Sequence, residues 1–298
     1  MPKPKRSRIT CNAQVKKKIA MGMGQINSAE PEKYEPFLLI HDFSSQGRST
    51  RTLSEGRIYH LMSGLETMCL RELQWNNNVI AIYEQAYLER EETTKIAKEL
   101  GIRHPVLSKD GEPYPMTTDL VAEIVTNGMI KQHAFAIKDT KSVTLSPADL
   151  AAIKTTKRKP KTLQTLEKLE IERRYWTGKG AIWSLVTDVH LCPHRASNIE
   201  YFQNTPQLKW TQDHREKVKK LALQAISTYP NRKLGGVSRA IEERFSVPAA
   251  DVIAILRQLC ANRYLEFDIN VPFGPDCHGR DFKKGPWTSS DEFRRAAA

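Results

Sequence analysis

The chain has 298 residues, 40% of them hydrophobic, and carries 46 Lys and Arg against 34 Asp and Glu, a formal net charge of +12 with a pI near 9.4. This length suits two ordinary domains, and no apolar run approaches the ~18 residues that a membrane span requires, so a soluble, globular chain that is not membrane-embedded and has no membrane partner is expected. The positive surplus favours a polyanion, nucleic acid first, through release of counterions from phosphates.

Five cysteines, Cys11, Cys69, Cys192, Cys260 and Cys277, are odd in number, scattered and without a CxxC pair. They argue against a disulfide framework and suit a reducing compartment. The pairs Cys192/His194 and Cys277/His278 lack zinc-finger spacing. The N-terminus "MPKPKRSRIT" has no apolar core behind it to form a secretory signal, so a cytoplasmic protein is expected.

In chain order, residues 1–30 read as a basic arm, in which Lys3, Lys5, Arg6, Arg8, Lys16, Lys17 and Lys18 precede any acidic residue. "FLLIHDF" and "GRIYHLM" read as short strands. A helix follows in "SGLETMCLRELQW", where Leu65, Met68, Cys69 and Leu73 recur at helical spacing, then a strand in "NNNVIAIYEQAYL" and a helix in "REETTKIAKELGI" that ends near Gly101. Beyond residue 138, "SPADLAAIK" and "TLQTLEKLEIERRYW" read as helices flanking the basic block "KTTKRKPK" at 154–161, a natural domain boundary. "AIWSLVTDV" reads as a short strand. The helices "DHREKVKKLALQAIS", "GVSRAIEERF" and "AADVIAILRQLCANR" before the strand-like "YLEFDI" predict a winged-helix-like domain, with Arg257, Gln258, Asn262 and Arg263 available for contacts although the apolar spacing of their helix is mostly that of a core. The charged, Gly- and Pro-containing remainder after residue 272 reads as a flexible tail.

The stretch "MTTDLVAEIVTNGMIKQHAFAIK" at 116–138 is the most informative. Asn127-Gly128 between two apolar runs predicts a β-hairpin with a two-residue turn. Counting outward from Thr126 opposite Met129 sets Asp119 opposite Ala136 and Thr117 opposite Lys138. Asp119, Ala136 and Lys138 then share one face, and Leu120, Ala122, Ile124, Phe135 and Ile137 form the core face. Ala134 and Ala136 leave room above the sheet for a metal ion and a phosphate. The same pair reads equally as an incidental cross-strand ion pair. Glu66 opens the helix after Ser63, where it could close a capping box or supply an oxygen to a hard divalent cation. Glu84 and Gln85 are further polar groups at a strand end, read either as support behind the site or as surface.

The order of "HLMSGLE", "VIAIYEQ", "MTTDL", "AIK" and "IERRYW" resembles the restriction-endonuclease-like nucleases and, more closely, the TnsA family, the endonuclease subunits of heteromeric cut-and-paste transposases, over about residues 35–190. The resemblance implies an α/β restriction-endonuclease-like N-terminal domain with a mixed sheet at 31–164, beside the winged-helix-like domain at 165–272 and a tail at 273–298. It implies that Glu66 and Asp119 hold Mg²⁺, with Mn²⁺ as a substitute, and that Lys138 is the active-site lysine. The family usually has Gln or Glu two residues before that lysine; Ala136 stands there, which leaves the Ile137 carbonyl as a backbone ligand. Implied partners are double-stranded DNA at transposon ends, a DDE transposase (TnsB-like) that cuts and joins the 3′ ends while this chain cuts the 5′ ends, and an AAA+ regulator (TnsC-like) met through the C-terminal region. The implied setting is a bacterial, DNA-associated one. Lys157, Arg158, Lys159 and Lys161 are the candidate DNA contacts. The rival readings are a non-catalytic DNA-binding adaptor and a stand-alone restriction-type nuclease.

Overall fold

The computed structural model describes residues 9–42, 49–54, 56–155 and 159–285, and the chain divides into two units, residues 1–191 and 192–298. The first unit runs α1 (Asn12–Ala20), β1 (Thr50–Ser54), β2 (Arg57–Leu61), α2 (Gly64–Trp75), β3 (Val79–Tyr87), α3 (Arg90–Glu99), β4 (Thr117–Thr126), β5 (Met129–Lys138), α4 (Thr140–Val143), α5 (Pro147–Thr155), α6 (Lys161–Gly178) and β6 (Ile182–Thr187). Strands β3-β4-β5-β6 form one sheet, antiparallel except for the parallel pair β5/β6, and β1/β2 form a separate ribbon. The expected mixed sheet is present.

Asn127 and Gly128 sit at φ 52° and 75°, the positive values that the tight turn requires and these two residues tolerate. The counted register holds for seven pairs, from Thr126–Met129 to Leu120–Phe135, and then stops one residue short of Asp119. Beyond that point residues 117 and 118 pair only with β3, and residues 136–138 only with β6. The two central strands therefore part, and the cleft between them, not small side chains, makes the space: Ala134 and Ala136 are fully buried.

Both faces of the sheet are covered. On one, Ile82, Leu120, Ala122 and Ile137 pack with Cys69, Leu70 and Leu73 of α2 and Tyr59 and Leu61 of β2. On the other, Tyr83, Val121 and Ala134 pack with Ile96 of α3 and Ile171, Tyr175 and Trp176 of α6. Each fully buried aliphatic contributes about 1.5–3 kcal/mol, so the hairpin is clamped from two sides.

Several sequence expectations are corrected. "FLLIHDF" is no strand: Phe37 and Leu38 are buried in a bend whose Phe37 N–H bonds the Gln85 carbonyl at 3.2 Å, and a 3₁₀ turn follows at Ile40–Asp42. The N-terminal arm is folded from residue 9 on, because Ile9 and Val15 enter a cluster with Met23, Phe37, Leu38 and Leu107. Within it, Lys18 pairs with Asp42 at 2.6 Å; Lys3, Lys5, Arg6 and Arg8 lie outside the described residues. The boundary expected at 164/165 falls at 191/192, since parallel pairing of β6 with β5 needs α6 as its crossover.

The second unit comprises α7 (Pro193–Gln203), α8 (Gln212–Thr228), α9 (Leu234–Phe245), α10 (Ala249–Ala261) and the antiparallel pair β7 (Leu265–Phe267) and β8 (Phe282–Lys284). The tail expected from residue 273 is ordered as far as 285: the Phe273 ring lies 5.2 Å from those of Phe202 and Phe267, and its N–H bonds Asn198. Residues 286–298 lie outside the described residues. On α10, Arg257 and Gln258 are spent internally. Arg257 stacks on the Tyr201 ring at 3.6 Å and donates to the Tyr201 and Asn204 carbonyls, and Gln258 accepts from Arg215.

Candidate active site

The divergence of β4 from β5 leaves the Ile137 N–H without a strand partner, and Asp119 supplies one. Its Oδ2 accepts that N–H at 2.7 Å and the Lys138 ammonium at 2.5 Å, while Lys138 also donates to the Ile137 carbonyl at 2.9 Å. Aspartate and lysine are 15% and 32% exposed, so the group is reachable from solvent. Two oxygens, one carboxylate and one carbonyl, thus converge on a single positive charge.

Glu66 comes from the first turn of α2. Ser63 caps this helix by accepting the Glu66 N–H at 3.2 Å. The glutamate side chain takes the Met62 N–H at 2.8 Å and the Ser63 hydroxyl at 2.9 Å. The cap and the site share this residue, with Met62 rather than Ser63 supplying the backbone donor. Burial raises the Glu66 carboxyl, the Asp119 charge adds to it, and the Met62 and Ser63 bonds and Lys138 only partly offset both, so it titrates at about 7. Burial works against the Lys138 charge, but Asp119, Glu172 and Glu66 outweigh it and hold its pKa above the ordinary value.

Glu172 belongs to this group and escaped sequence reasoning, although it lies in the quoted "IERRYW". It projects from α6, is almost fully buried, and accepts the Thr118 hydroxyl at 2.9 Å; that hydroxyl accepts the Trp176 indole N–H at 2.7 Å. Burial first, then Asp119, push its carboxyl up to about 7, against Lys138 and the Thr118 bond. Gln85, which the sequence left open between support for the site and surface, donates to Glu66. Glu84 is neither surface nor site: it is fully buried and paired with Arg57 at 2.5 Å.

The structure joins Asp119 and Lys138 directly, and the charges of both bear on the titration of Glu66 and of Glu172. The basic block is described only in part. Lys157 and Arg158 lie outside the described residues, Lys159 pairs with Glu167, and Lys161 is exposed in the first turn of α6. Among the described residues no three His, Cys, Asp or Glu side chains are grouped as a metal centre, and no helix is long and apolar enough to cross a membrane.

A pH dependence follows from the two raised carboxyls. Glu66 and Glu172 bind protons more tightly folded than unfolded, so their contribution is fully present below their ordinary value of 4.5. It is lost as pH rises from there through about 7. In EDTA, Glu172→Gln removes one of these losses. The melting temperature of the variant relative to the parent should therefore climb between pH 5 and pH 7.5; a flat or falling difference would contradict the burial of that charge.

Residues 76–188 match the family model of the TnsA-like endonuclease N-terminal domain, a span that includes Asp119, Lys138 and Glu172 and begins after Glu66. With its mixed sheet covered by helices, the first unit fits an α/β nuclease fold. The similarity extends beyond that unit: the chain is 29% identical over 262 residues, 87% of each protein, to the transposon Tn7 transposition protein TnsA of Escherichia coli. Over these spans the chain is similar to TnsA.

Proposed function

We propose that the protein is the endonuclease subunit of a DNA transposition system, hydrolysing a phosphodiester at the 5′ ends of a transposon. The observation that carries this reading is the convergence of the Asp119 carboxylate and the Ile137 carbonyl on one positive charge, with Glu66 close enough for its titration to respond to Asp119. The Lys138 ammonium there stands in for a cation, so the oxygens present fit a hard divalent ion of the Mg²⁺ type, with Mn²⁺ as substitute. Glu66, Asp119 and the Ile137 carbonyl would hold it, and two carboxylates plus one carbonyl leave positions for water and a substrate phosphate. Ala136 offers no side-chain oxygen.

When bound, such an ion supplies Lewis acidity toward the phosphate and lowers the pKa of water. The chain's own groups do the rest. Asp119 holds the Ile137 N–H and keeps Lys138 at the cleft; Lys138 offsets charge developing on the phosphate and orients the attacking water. Asp119 first, with Glu172 bonded to Thr118 adding to it, keeps that ammonium charged.

The cleavage of 5′ ends would complement a DDE transposase of the TnsB type acting on the 3′ ends, under an AAA+ regulator of the TnsC type. The second unit, with α8, α9 and α10 ahead of the β7/β8 pair and a further bridge between Lys233 and His278, supports a winged-helix-like reading. Because Arg257 and Gln258 are occupied within the unit, a protein partner suits it better than base readout by α10. The test is nicking of end-labelled transposon-end DNA by the protein with its partner transposase and Mg²⁺. Cleavage of the 5′ end strand that disappears in EDTA supports the function, and metal-independent cleavage or an intact 5′ strand opposes it.

A further inference from the structure

Gln85 lies near the end of β3 at φ +50°, a left-handed conformation that costs a non-glycine residue about 1–2 kcal/mol. The register brackets it: Glu84 pairs with Leu120 and Ala86 with Thr118, and Gln85 sits between those pairs. The residue is almost fully buried. Its side-chain Nε2 donates to Glu66 Oε2 at 3.3 Å, and its Oε1 accepts the Thr117 hydroxyl at 3.0 Å. A carboxamide offers a donor to the carboxylate and an acceptor to the hydroxyl from one planar group that stays neutral at every pH.

The other two bonds to Glu66 come from Met62 and Ser63, at the start of its own helix. The amide ties that carboxylate to the sheet, at Thr117, two residues from Asp119. Strain held at one backbone position, with both ends of the amide hydrogen-bonded, marks a residue kept for its placement.

We propose that Gln85 is a positioning residue: its strained backbone aims the amide so that Glu66 is held toward Asp119 in the geometry that takes a divalent cation. The proposal rests on Glu66 and Asp119 being the cation ligands, and its test separates the two claims. Gln85→Met keeps length and backbone demand but removes both polar contacts. In the full chain titrated with Mn²⁺ alone, with free Mn²⁺ followed by electron paramagnetic resonance, the dissociation constant should rise about tenfold. Nicking should need correspondingly more metal, yet approach the parent rate at saturation.

Gln85→Gly relaxes the backbone but also deletes both polar contacts, so it should weaken Mn²⁺ binding equally; a merely structural role would lower the melting temperature of the metal-free protein in both variants and leave the Mn²⁺ affinity at the parent value. Parent-like Mn²⁺ affinity in Gln85→Met or Gln85→Gly, with binding abolished in Glu66→Ala, overturns the role of Gln85 and leaves the site intact. Unchanged binding in Glu66→Ala overturns both.

Discussion

Asp119→Asn is expected to lower 5′-strand nicking about 10²- to 10³-fold, some 3–4 kcal/mol of transition-state stabilisation, with the partner transposase and Mg²⁺ present. The substitution is close to isosteric. An amide oxygen can still accept the Ile137 N–H that Asp119 Oδ2 now takes at 2.7 Å, so the cleft between β4 and β5 keeps its bridge. What it loses is the charge that anchors Lys138 and one anionic oxygen for the cation. The same amide oxygen can also accept the Lys138 ammonium, as Oδ2 does now, but without the carboxylate charge that strengthens the bond. DNA binding should persist, because phosphate contacts elsewhere carry it. Full nicking by a folded Asp119→Asn protein would remove Asp119 from the chemistry.

The largest effect on stability is expected at Arg57. Its guanidinium bonds Glu84 at 2.5 Å and the Ile82 carbonyl at 2.9 Å, and lies 4.0 Å from the Tyr59 ring centroid and 5.2 Å from that of Tyr34. Glu84 is completely buried. Burial raises its carboxyl above the ordinary range even with Arg57 beside it. Arg57→Met keeps the apolar stem and strips away the partner charge, which costs about 3–5 kcal/mol when a buried pair is broken from one side. A raised carboxyl favours the folded state at low pH, so the deficit should be smaller near pH 5 and larger near pH 8. Adding Glu84→Gln should recover part of it. Denaturant melts of the three proteins at both pH values decide this, and a loss below about 1 kcal/mol for Arg57→Met would make the pair dispensable.

How much of this was legible in the sequence depended on how local the cause was. The Asn127-Gly128 turn was readable because few other residue pairs accept two positive φ values, and it fixed the register as far as Leu120. That Asp119 and Lys138 meet was foreseen, but by a continued ladder. In the fold they meet because the ladder ends, and the N–H freed at Ile137 needs an acceptor. Glu66 read equally as a cap and as a ligand from its spacing, and the structure gives it the Ser63 hydroxyl, the Met62 N–H and a neighbouring acid together.

The remainder was set by long-range packing. Glu172 reads in "LEIERRYW" as one more charge on a polar helix, and only the docking of α6 beside Thr118 buries it. The basic block at 154–161 looked like a boundary, but the parallel pairing of β6 with β5 commits the following helix to the first unit. Arg257 was open for external contacts on sequence grounds until Tyr201 and Asn204 engaged it from another helix.

The central claim is that Glu66 and Asp119, from a helix start and a strand edge, face one divalent cation at the cleft mouth beside Lys138. Anomalous diffraction from crystals of the protein grown with Mn²⁺ and a short transposon-end duplex measures this most directly. The expected result is a manganese peak within about 2.0–2.3 Å of a carboxylate oxygen from each acid, with the Lys138 ammonium displaced from Asp119 toward the phosphate. A manganese peak bound elsewhere, with Asp119 still holding Lys138 over an intact duplex, would contradict it.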